Sequence, residues 1–200
     1  MTYAIEMYFD KQTEEKIMSL AHKIADAGLS TKYLEWKTRP HVTLAVYNDI
    51  DADRCAQLLE KFANDRKAFP ALFDAVGMFN YTKTIFLSPV MTRILYELHS
   101  ELHALMKEFE ASAWKWYKSD GWVPHCTVAL TSEDAENVFY EVSDLVLHEF
   151  KKLEGVYTSV GLVKITFPVE ELATFDFRSR GKSIIYRCPK SMKSIICVPE

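Results

Sequence analysis

The sequence lacks the features that would indicate a secreted, membrane-bound or zinc-binding protein. It has four cysteines but no CxxC pair, so their spacing predicts neither a disulfide framework nor a zinc knuckle, and we expect reduced thiols. No apolar run approaches the length of a membrane span, and the first residues do not form a basic segment followed by a long apolar one. We therefore expect a cytoplasmic protein that does not associate with membranes.

An excess of positive charge is also absent. The chain has 24 basic and 28 acidic residues, for a net charge of -4, which argues against a broad surface that coats nucleic acid. A small or single-stranded phosphate ligand in a local cleft remains compatible with this charge. Residues 178–200 differ, because they contain six Lys or Arg residues and one acid. We expect a solvated tail or an extra edge strand there, with a phosphate-contacting tail as the alternative.

The chain does contain a regular alternation of predicted strands and helices, and no linker rich in Pro, Gly or Ser divides it. Apolar residues that alternate, or that recur at helical spacing, mark these elements. The predicted strands cover residues 3–9, 40–47, 70–79, 83–88, 123–130, 155–167 and 171–177. The predicted helices cover residues 11–27, 52–66, 91–109 and 133–150. Together these elements predict one domain over residues 1–177, followed by a basic extension over residues 178–200.

One seven-residue segment occurs twice. Residues 40–46, with the sequence PHVTLAV, align with residues 124–130, with the sequence PHCTVAL. Pro, His, Thr and Ala are identical in the two copies, and the other three positions are apolar in both. Each copy is a predicted strand followed by a predicted helix. The chain therefore looks like two related halves.

The alternation of side chains along a strand predicts how each copy is oriented. The His, Thr and Ala of a copy should share one face, and its other apolar residues should share the opposite face. The apolar face can pack under helices, so that His41 and Thr43 of the first copy, and His125 and Thr127 of the second, line an open surface.

These residue types suit phosphodiester cleavage. Imidazole titrates near pH ~6.5, so one histidine can accept a proton from a nucleophile while the other donates a proton to the leaving oxygen. The threonine hydroxyls can hydrogen-bond the non-bridging phosphate oxygens and stabilise charge without a metal. A metal site is the weaker alternative, because neither copy supplies a carboxylate on the histidine face and catalytic zinc usually needs three protein ligands.

At these residues the sequence resembles the two-histidine (2H) phosphoesterase superfamily, and it looks like the 2′-5′ RNA ligase and RNA 2′,3′-cyclic phosphodiesterase branch. The resemblance covers residues 3–177. It implies a bilobal, pseudo-symmetric α+β fold with two antiparallel sheets around a central cleft and helices outside. An arginine that often stands beside the second motif in that branch is replaced here by Val123 and Pro124. Arg39, beside the first motif, is the residue that would compensate.

The resemblance also implies an activity and residue roles. The expected reaction is metal-free and cofactor-free hydrolysis of 2′,3′-cyclic phosphates or 2′-5′ linkages in RNA or nucleotides. By this analogy His41 would protonate the leaving oxygen, His125 would activate water, and Thr43 and Thr127 would hold the phosphate. Two alternatives stay open: a non-catalytic module that binds nucleotides or RNA, and a 2′-5′ RNA end-joining activity. We expect the partner to be a nucleotide or an RNA end and the protein to be a monomer.

Further candidates for substrate contacts rest on weaker grounds. Base stacking needs an aromatic residue on the histidine face, and a phosphate can use a nearby cation. Ordinary packing or solvation is the alternative for each candidate. The candidates are Tyr8, Arg39, Tyr47, Phe86, Trp122 and Lys164. By contrast, His99 and His103 do not form an HExxH motif and are expected to be a surface pair on a helix.

Overall fold

Seven strands and five α-helices form the part of the chain that the computed structural model describes, residues 1–132 and 135–178. The strands are β1 (Thr2–Phe9), β2 (His41–Asn48), β3 (Phe69–Phe79), β4 (Thr84–Pro89), β5 (Cys126–Leu130), β6 (Leu153–Lys164) and β7 (Glu170–Asp176). The α-helices are α1 (Lys11–Asp26), α2 (Lys32–Glu35), α3 (Ala52–Asn64), α4 (Arg93–Leu105) and α5 (Glu136–Glu149). The predicted α+β class is confirmed.

The predicted elements are present with shifted ends. The helix predicted over residues 91–109 ends as an α-helix at Leu105 and is followed by two 3-10 helices, Lys107–Ser112 and Lys115–Tyr117. The short helix α2 was not expected from the sequence. The predicted basic extension, residues 178–200, lies outside the described residues except for Arg178.

Side-chain caps explain where three of the helices begin. The Asp10 side chain accepts a hydrogen bond from the backbone N–H of Thr13 at the start of α1. Asp51 and Thr92 make the equivalent hydrogen bonds at the starts of α3 and α4. Such caps satisfy backbone N–H groups that have no partner within the helix. Asp10 also accepts from the N–H of Val156 in β6 at 2.8 Å, which ties α1 to the sheet.

All of the strand pairs are antiparallel, and the strand order is β2-β1-β6-β3-β4-β5, with β7 paired to β6. Strand β6 joins the two halves because its first residues pair with β3 and its later residues pair with β1. The two predicted sheets are thus two halves of one hydrogen-bonded sheet. We call β2, β1 and β7 with the later part of β6 the first half, and β3, β4 and β5 the second half.

The two faces of the sheet carry different residues. On β1, the residues Ile5, Met7 and Phe9 point into the main hydrophobic core. Ala4 points the other way and forms a small separate cluster with Val46 and Val163. We call the side opposite the main core the histidine face, because both histidines of the repeat lie on it. Strands β2 and β5 end the strand order, yet they contact each other, so the sheet curves and brings its two ends together.

Candidate active site

The two histidines of the repeat are held in the same way. Nδ1 of His41 lies 2.7 Å from the carbonyl oxygen of Arg39, and Nδ1 of His125 lies 2.7 Å from that of Val123. A carbonyl oxygen can only accept, so each Nδ1 carries the hydrogen and donates it. A proline precedes each histidine and restricts the residue before it to extended backbone, which presents that carbonyl. Each Nε2 is thereby left as the atom that can exchange a proton.

A β-bulge interrupts the first copy of the repeat just after its threonine. Glu6 of β1 pairs with Thr43, but Ile5 pairs with Ala45, so Leu44 is the extra residue. An extra residue reverses the alternation of side chains beyond it. Ala45 therefore lies in the main core, contrary to the prediction that it shares a face with the histidine and threonine.

The second copy contains the same bulge at the equivalent position. Phe86 of β4 pairs with Thr127, and Ile85 pairs with Ala129, so Val128 is the extra residue. The duplication therefore extends beyond the sequence motif to a local irregularity of the backbone. In both halves the bulge moves the Ala of the motif, Ala45 or Ala129, from the histidine face into the main core.

Several contacts bring the two copies into one site. Strands β2 and β5 contact each other, and the backbone of His41 opposes the rise in pKa that burial gives the Cys126 thiol. Electrostatic repulsion from His41 also contributes to lowering the pKa of His125. The side chain of His41 is 17% exposed, and that of His125 is partly exposed. The imidazoles are therefore neither on separate surfaces nor sealed in the core.

The surroundings of His125 are apolar. The ring centroid of Phe79 lies 4.9 Å from that of the imidazole in an edge-on arrangement, and the centroid of Phe86 lies 5.3 Å away. Burial is the largest cause of the lowered pKa of His125, and the hydrogen bond to the Val123 carbonyl opposes it. The neutral imidazole is therefore favoured at this position.

The surroundings of His41 are acidic, which the sequence did not predict. Its Nε2 lies 3.3 Å from Oε1 of Glu6, whose side chain is only 6% exposed. The other oxygen, Oε2, accepts a hydrogen bond of 3.0 Å from the Tyr8 hydroxyl. The pKa of Glu6 is raised above its ordinary value, because the effect of burial outweighs the opposing effects of His41 and Tyr8. Neither copy of the motif supplies this carboxylate, as expected; it comes from the neighbouring strand, directly opposite Thr43.

Tyr8 and Arg39 lie beside this pair, but their side chains are already engaged. Tyr8 is 1% exposed, and the guanidinium carbon of Arg39 lies 4.1 Å from the centre of its ring. Arg39 also donates to Glu14 at 2.7 Å and lies 3.9 Å from Glu171. The expectation that Tyr8 stacks on a base is therefore corrected, since its ring is buried. A substrate contact by Arg39 stays a prediction.

Two other candidates lie away from the site. The bulge turns Tyr47 into the main core, where it is 1% exposed and packs against Phe109 with ring centroids 6.0 Å apart. Lys164 pairs in register with Tyr3, a main-core residue, and so lies on the face opposite Glu6. Its Nζ is 3.5 Å from Glu170. The expectations that Tyr47 and Lys164 contact the substrate are both wrong.

The Trp122 side chain contacts the backbone of strand β2. Its Nε1–H donates to the carbonyl of Thr43 at 3.0 Å, and its ring stacks on His99 with centroids 3.8 Å apart. His99 is 1% exposed, and its Nε2 lies 3.1 Å from the carbonyl of Leu44, which corrects the expectation of a surface pair. Because β2 is an edge strand, these side chains satisfy carbonyls that have no strand partner. A substrate contact by Trp122 stays a prediction.

The sequence and the fold agree on the family. The family model of the 2′-5′ RNA ligase superfamily matches residues 9–179. The chain belongs to this superfamily. Its members are the 2H phosphoesterases that the paired motifs resembled, and they are generally phosphoesterase or ligase enzymes.

Solved structures of this superfamily share the fold at low sequence identity. The E. coli LigT structure complexed with NADP+ is 14% identical, with 88% of this chain and 96% of that chain covered and a TM-score of 0.55. The LigT structure complexed with 3′-AMP is 14% identical, with 88% and 96% covered and a TM-score of 0.53. The protein TT0787 of Thermus thermophilus is 13% identical, with 90% and 100% covered and a TM-score of 0.59. No curated protein matches the chain.

Two further observations concern residues 1–132 and 135–178. Within these ranges, no group of three or more His, Cys, Asp or Glu side chains is arranged to hold a metal ion. None of the helices in this part of the chain is both long enough and apolar enough to cross a membrane. Metal independence stays a prediction, which a chelator can test.

Proposed function

We propose that this member of the superfamily is a metal-independent phosphodiesterase that hydrolyses 2′,3′-cyclic phosphate or 2′-5′ phosphodiester bonds of RNA or nucleotides. The observation that carries the proposal is the arrangement of the two imidazoles. Both Nδ1 atoms are tied to backbone carbonyls, which leaves both Nε2 atoms for proton transfer, and strands β2 and β5 contact each other. Binding alone would not require two such groups, which favours catalysis over a purely nucleotide-binding module.

The surroundings of the histidines support different roles for them. His125, in its apolar setting, is suited to be the general base, because a base must begin neutral. His41, with Nδ1 donating to a carbonyl and Nε2 facing a carboxylate, is suited to be the general acid, because both nitrogens then carry protons. Each such transfer typically contributes about 10²–10⁴-fold to the rate. These roles agree with those that the family resemblance implied.

Hydrolysis of a 2′,3′-cyclic phosphate then proceeds as a single displacement. Nε2 of His125 takes a proton from water, and the water oxygen forms a bond to phosphorus. The bond between phosphorus and the 3′ oxygen breaks, and Nε2–H of His41 protonates that oxygen, which leaves a 2′-phosphate. Thr43 and Thr127, each two residues after its histidine, donate hydrogen bonds to the non-bridging oxygens. Exchange with solvent restores the two starting protonation states.

The substrate class is supported by what a structural neighbour binds. E. coli LigT has been solved with NADP+, ATP and 3′-AMP, which are all nucleotides. Two aromatic candidates for contact with the substrate remain, Trp122 and Phe86, and Phe86 lies against His125. We propose a nucleotide or an RNA end as the partner of this chain, and a cytoplasmic monomer as its working form.

A panel of substrates in EDTA tests the proposal. The panel contains nucleoside 2′,3′-cyclic phosphates, 2′-5′ oligoadenylates and RNA with a cyclic phosphate end. We expect turnover of at least one, with a loss of at least about 10²-fold in His41→Ala and in His125→Ala. His148→Ala is the control, because His148 is exposed on α5, and it should keep full activity. Full activity in either catalytic variant, or nucleotide binding without turnover, would overturn the proposal.

RNA end joining is the second candidate, because the family description names a ligase. Its chemistry uses the same site, with a 5′ hydroxyl in place of water as the group that His125 deprotonates. Incubating RNA that has a 2′,3′-cyclic phosphate with RNA that has a 5′ hydroxyl separates the two activities. A joined product that exceeds the hydrolysed product would favour ligation.

A further inference from the structure

Each half of the sheet contains a row of three paired residues on neighbouring strands, and the two rows differ only at the middle residue. In each half, a residue of the middle strand pairs with the threonine of the motif on one side and with a glycine on the other. The two rows are Thr43, Glu6 and Gly161 in the first half, and Thr127, Phe86 and Gly77 in the second. The repeat thus places a glutamate beside one histidine, where its counterpart beside the other histidine is a phenylalanine.

The glycines show that these rows are closely packed on the histidine face. A Cβ added at Gly161 would lie 2.5 Å from a ring carbon of Tyr8, and one added at Gly77 would lie 2.3 Å from a ring carbon of Phe86. Both contacts are far shorter than ordinary van der Waals separations of about 3.5–4.0 Å. Each half therefore leaves space for an aromatic ring against its glycine. In the first half that ring is Tyr8, and its hydroxyl donates to Glu6.

A buried carboxylate is unfavourable unless it has partners, and an apolar residue in the same place is often as stable or more stable. Phe86 shows that this position of the repeat accepts an apolar side chain. Glu6 is 5% exposed, and the two groups that meet its oxygens are the Tyr8 hydroxyl and Nε2 of His41. A function in proton transfer explains why an acid stands here.

We propose that Glu6 is the positioning residue that commits His41 to the role of general acid. Before substrate binds, its negative charge, 3.3 Å from Nε2 of His41, favours a proton on that nitrogen, so that the imidazole holds a proton on each nitrogen. On substrate binding, the Nε2 proton goes to the leaving oxygen, its bond to nitrogen breaks, and His41 becomes neutral while Glu6 stays ionised. This inference rests on the proposed function and adds to it the reason why the two halves have different roles.

Other charged or titratable groups surround the pair and bear on its pH dependence. Burial and the charge of Glu171 raise the pKa of Glu6. In the opposite direction, its pKa is lowered by His41, Tyr8 and Arg39. Arg39 is in turn paired with Glu14. Four further titratable groups interact electrostatically with this pair: Tyr33, Tyr117 and Cys126 with Glu6, and His125 with His41.

The leaving group of the substrate separates this role from a merely structural one. In Glu6→Gln, the amide keeps the size of the side chain but lacks the negative charge that favours a proton on both nitrogens of His41. We expect kcat to fall about 10²-fold on a nucleoside 2′,3′-cyclic phosphate, whose leaving alkoxide needs a proton. On a nucleoside p-nitrophenyl phosphate, whose leaving phenolate needs none, kcat should change by less than about 3-fold. Equal losses on the two substrates would overturn the proposal.

Two sets of variants complete the comparison. His41→Ala should show the same dependence on the leaving group, whereas His125→Ala should be impaired on both substrates. Glu171→Gln is the matched control: Glu171 is an exposed acid that acts on Glu6 only through its charge, and its removal should leave kcat within about 2-fold. If wild type cleaves the cyclic substrate and Glu6→Gln does so at the same rate, the proposed function survives and the role of Glu6 fails.

A spectroscopic readout works without any turnover. The ¹⁵N chemical shift of the imidazole nitrogens reports whether each carries a proton. In the ligand-free wild type at neutral pH, Nε2 of His41 should be protonated, and in Glu6→Gln it should not. An unprotonated Nε2 in the wild type would refute the inference even if every phosphodiester in the panel were hydrolysed. Thermal unfolding of Glu6→Gln checks that the variant is folded.

Discussion

Replacing Gly77 by alanine tests whether packing behind Phe86 sets the position of His125. The new Cβ would lie 2.3 and 2.4 Å from two ring carbons of Phe86. Relief of this overlap requires the ring to move by about 1 Å, because carbon atoms normally approach to about 3.5 Å. Phe86 is 5% exposed, and its ring centroid lies 4.5 Å from that of Phe79 and 5.3 Å from that of His125. The displaced ring therefore pushes on the imidazole.

Two magnitudes follow from this displacement. Overpacking of a buried site costs about 1–3 kcal/mol of unfolding free energy. A shift of about 1 Å in a catalytic group lowers the rate by about 10²-fold. We therefore expect Gly77→Ala to be measurably less stable in urea unfolding, and to lose about 10²-fold in kcat/KM on the cyclic nucleotide that wild type hydrolyses.

Gly28→Ala is the matched control, because it adds the same methyl group far from the histidines. Gly28 has a φ of 71°, and no atom lies within 4 Å of the added Cβ. Its cost is backbone strain alone, about 1–2 kcal/mol, with no loss of activity. Full kcat/KM in Gly77→Ala, despite a similar loss of stability, would refute the idea that this packing positions His125.

Two further predictions concern the support of strand β2. Burial lowers the pKa of His99 to about 4. The unfolded chain therefore binds more protons than the folded one between pH ~6.5 and ~4. As the pH falls through this window, the free energy of unfolding decreases by about 3 kcal/mol. Urea unfolding across this range should show the loss, and His99→Gln should flatten it; equal slopes would contradict the reasoning. Trp122→Phe keeps the stacked ring but removes the hydrogen bond to the Thr43 carbonyl, and it should cost about 1 kcal/mol in the same assay. An unchanged free energy of unfolding would show that water replaces the bond without penalty.

The strand register explains which sequence-based predictions were wrong. Tyr47 was expected on the histidine face because strict alternation from Thr43 places it there. The extra residue at Leu44 reverses the alternation and sends Tyr47 into the core. Lys164 was assigned without knowledge of its strand partner, and its pairing with Tyr3 sets it on the core side. Both errors come from pairings between residues far apart in the sequence.

The acidic partner of His41 was missed for a related reason. Glu6 lies in a strand whose alternation is visible, and it shares a side with Tyr8, so its face could be read from the sequence. Its position opposite Thr43 depends on how β1 and β2 align. No local pattern in either segment encodes that alignment. A polar residue in the middle of an otherwise apolar strand was the one available signal.

Local patterns in the chain were enough to define the elements of the fold and the two central residues of the site. Hydrophobic periodicity is local, so it located the strands and helices, and the duplicated His-x-Thr segment identified His41 and His125. The tertiary structure determines which residues contact these histidines. The bulges after Thr43 and Thr127, and the placement of Glu6 and Phe86 in equivalent positions, arise from long-range strand pairing. The motif is the same in both halves, and the strand beside it makes the two histidines different.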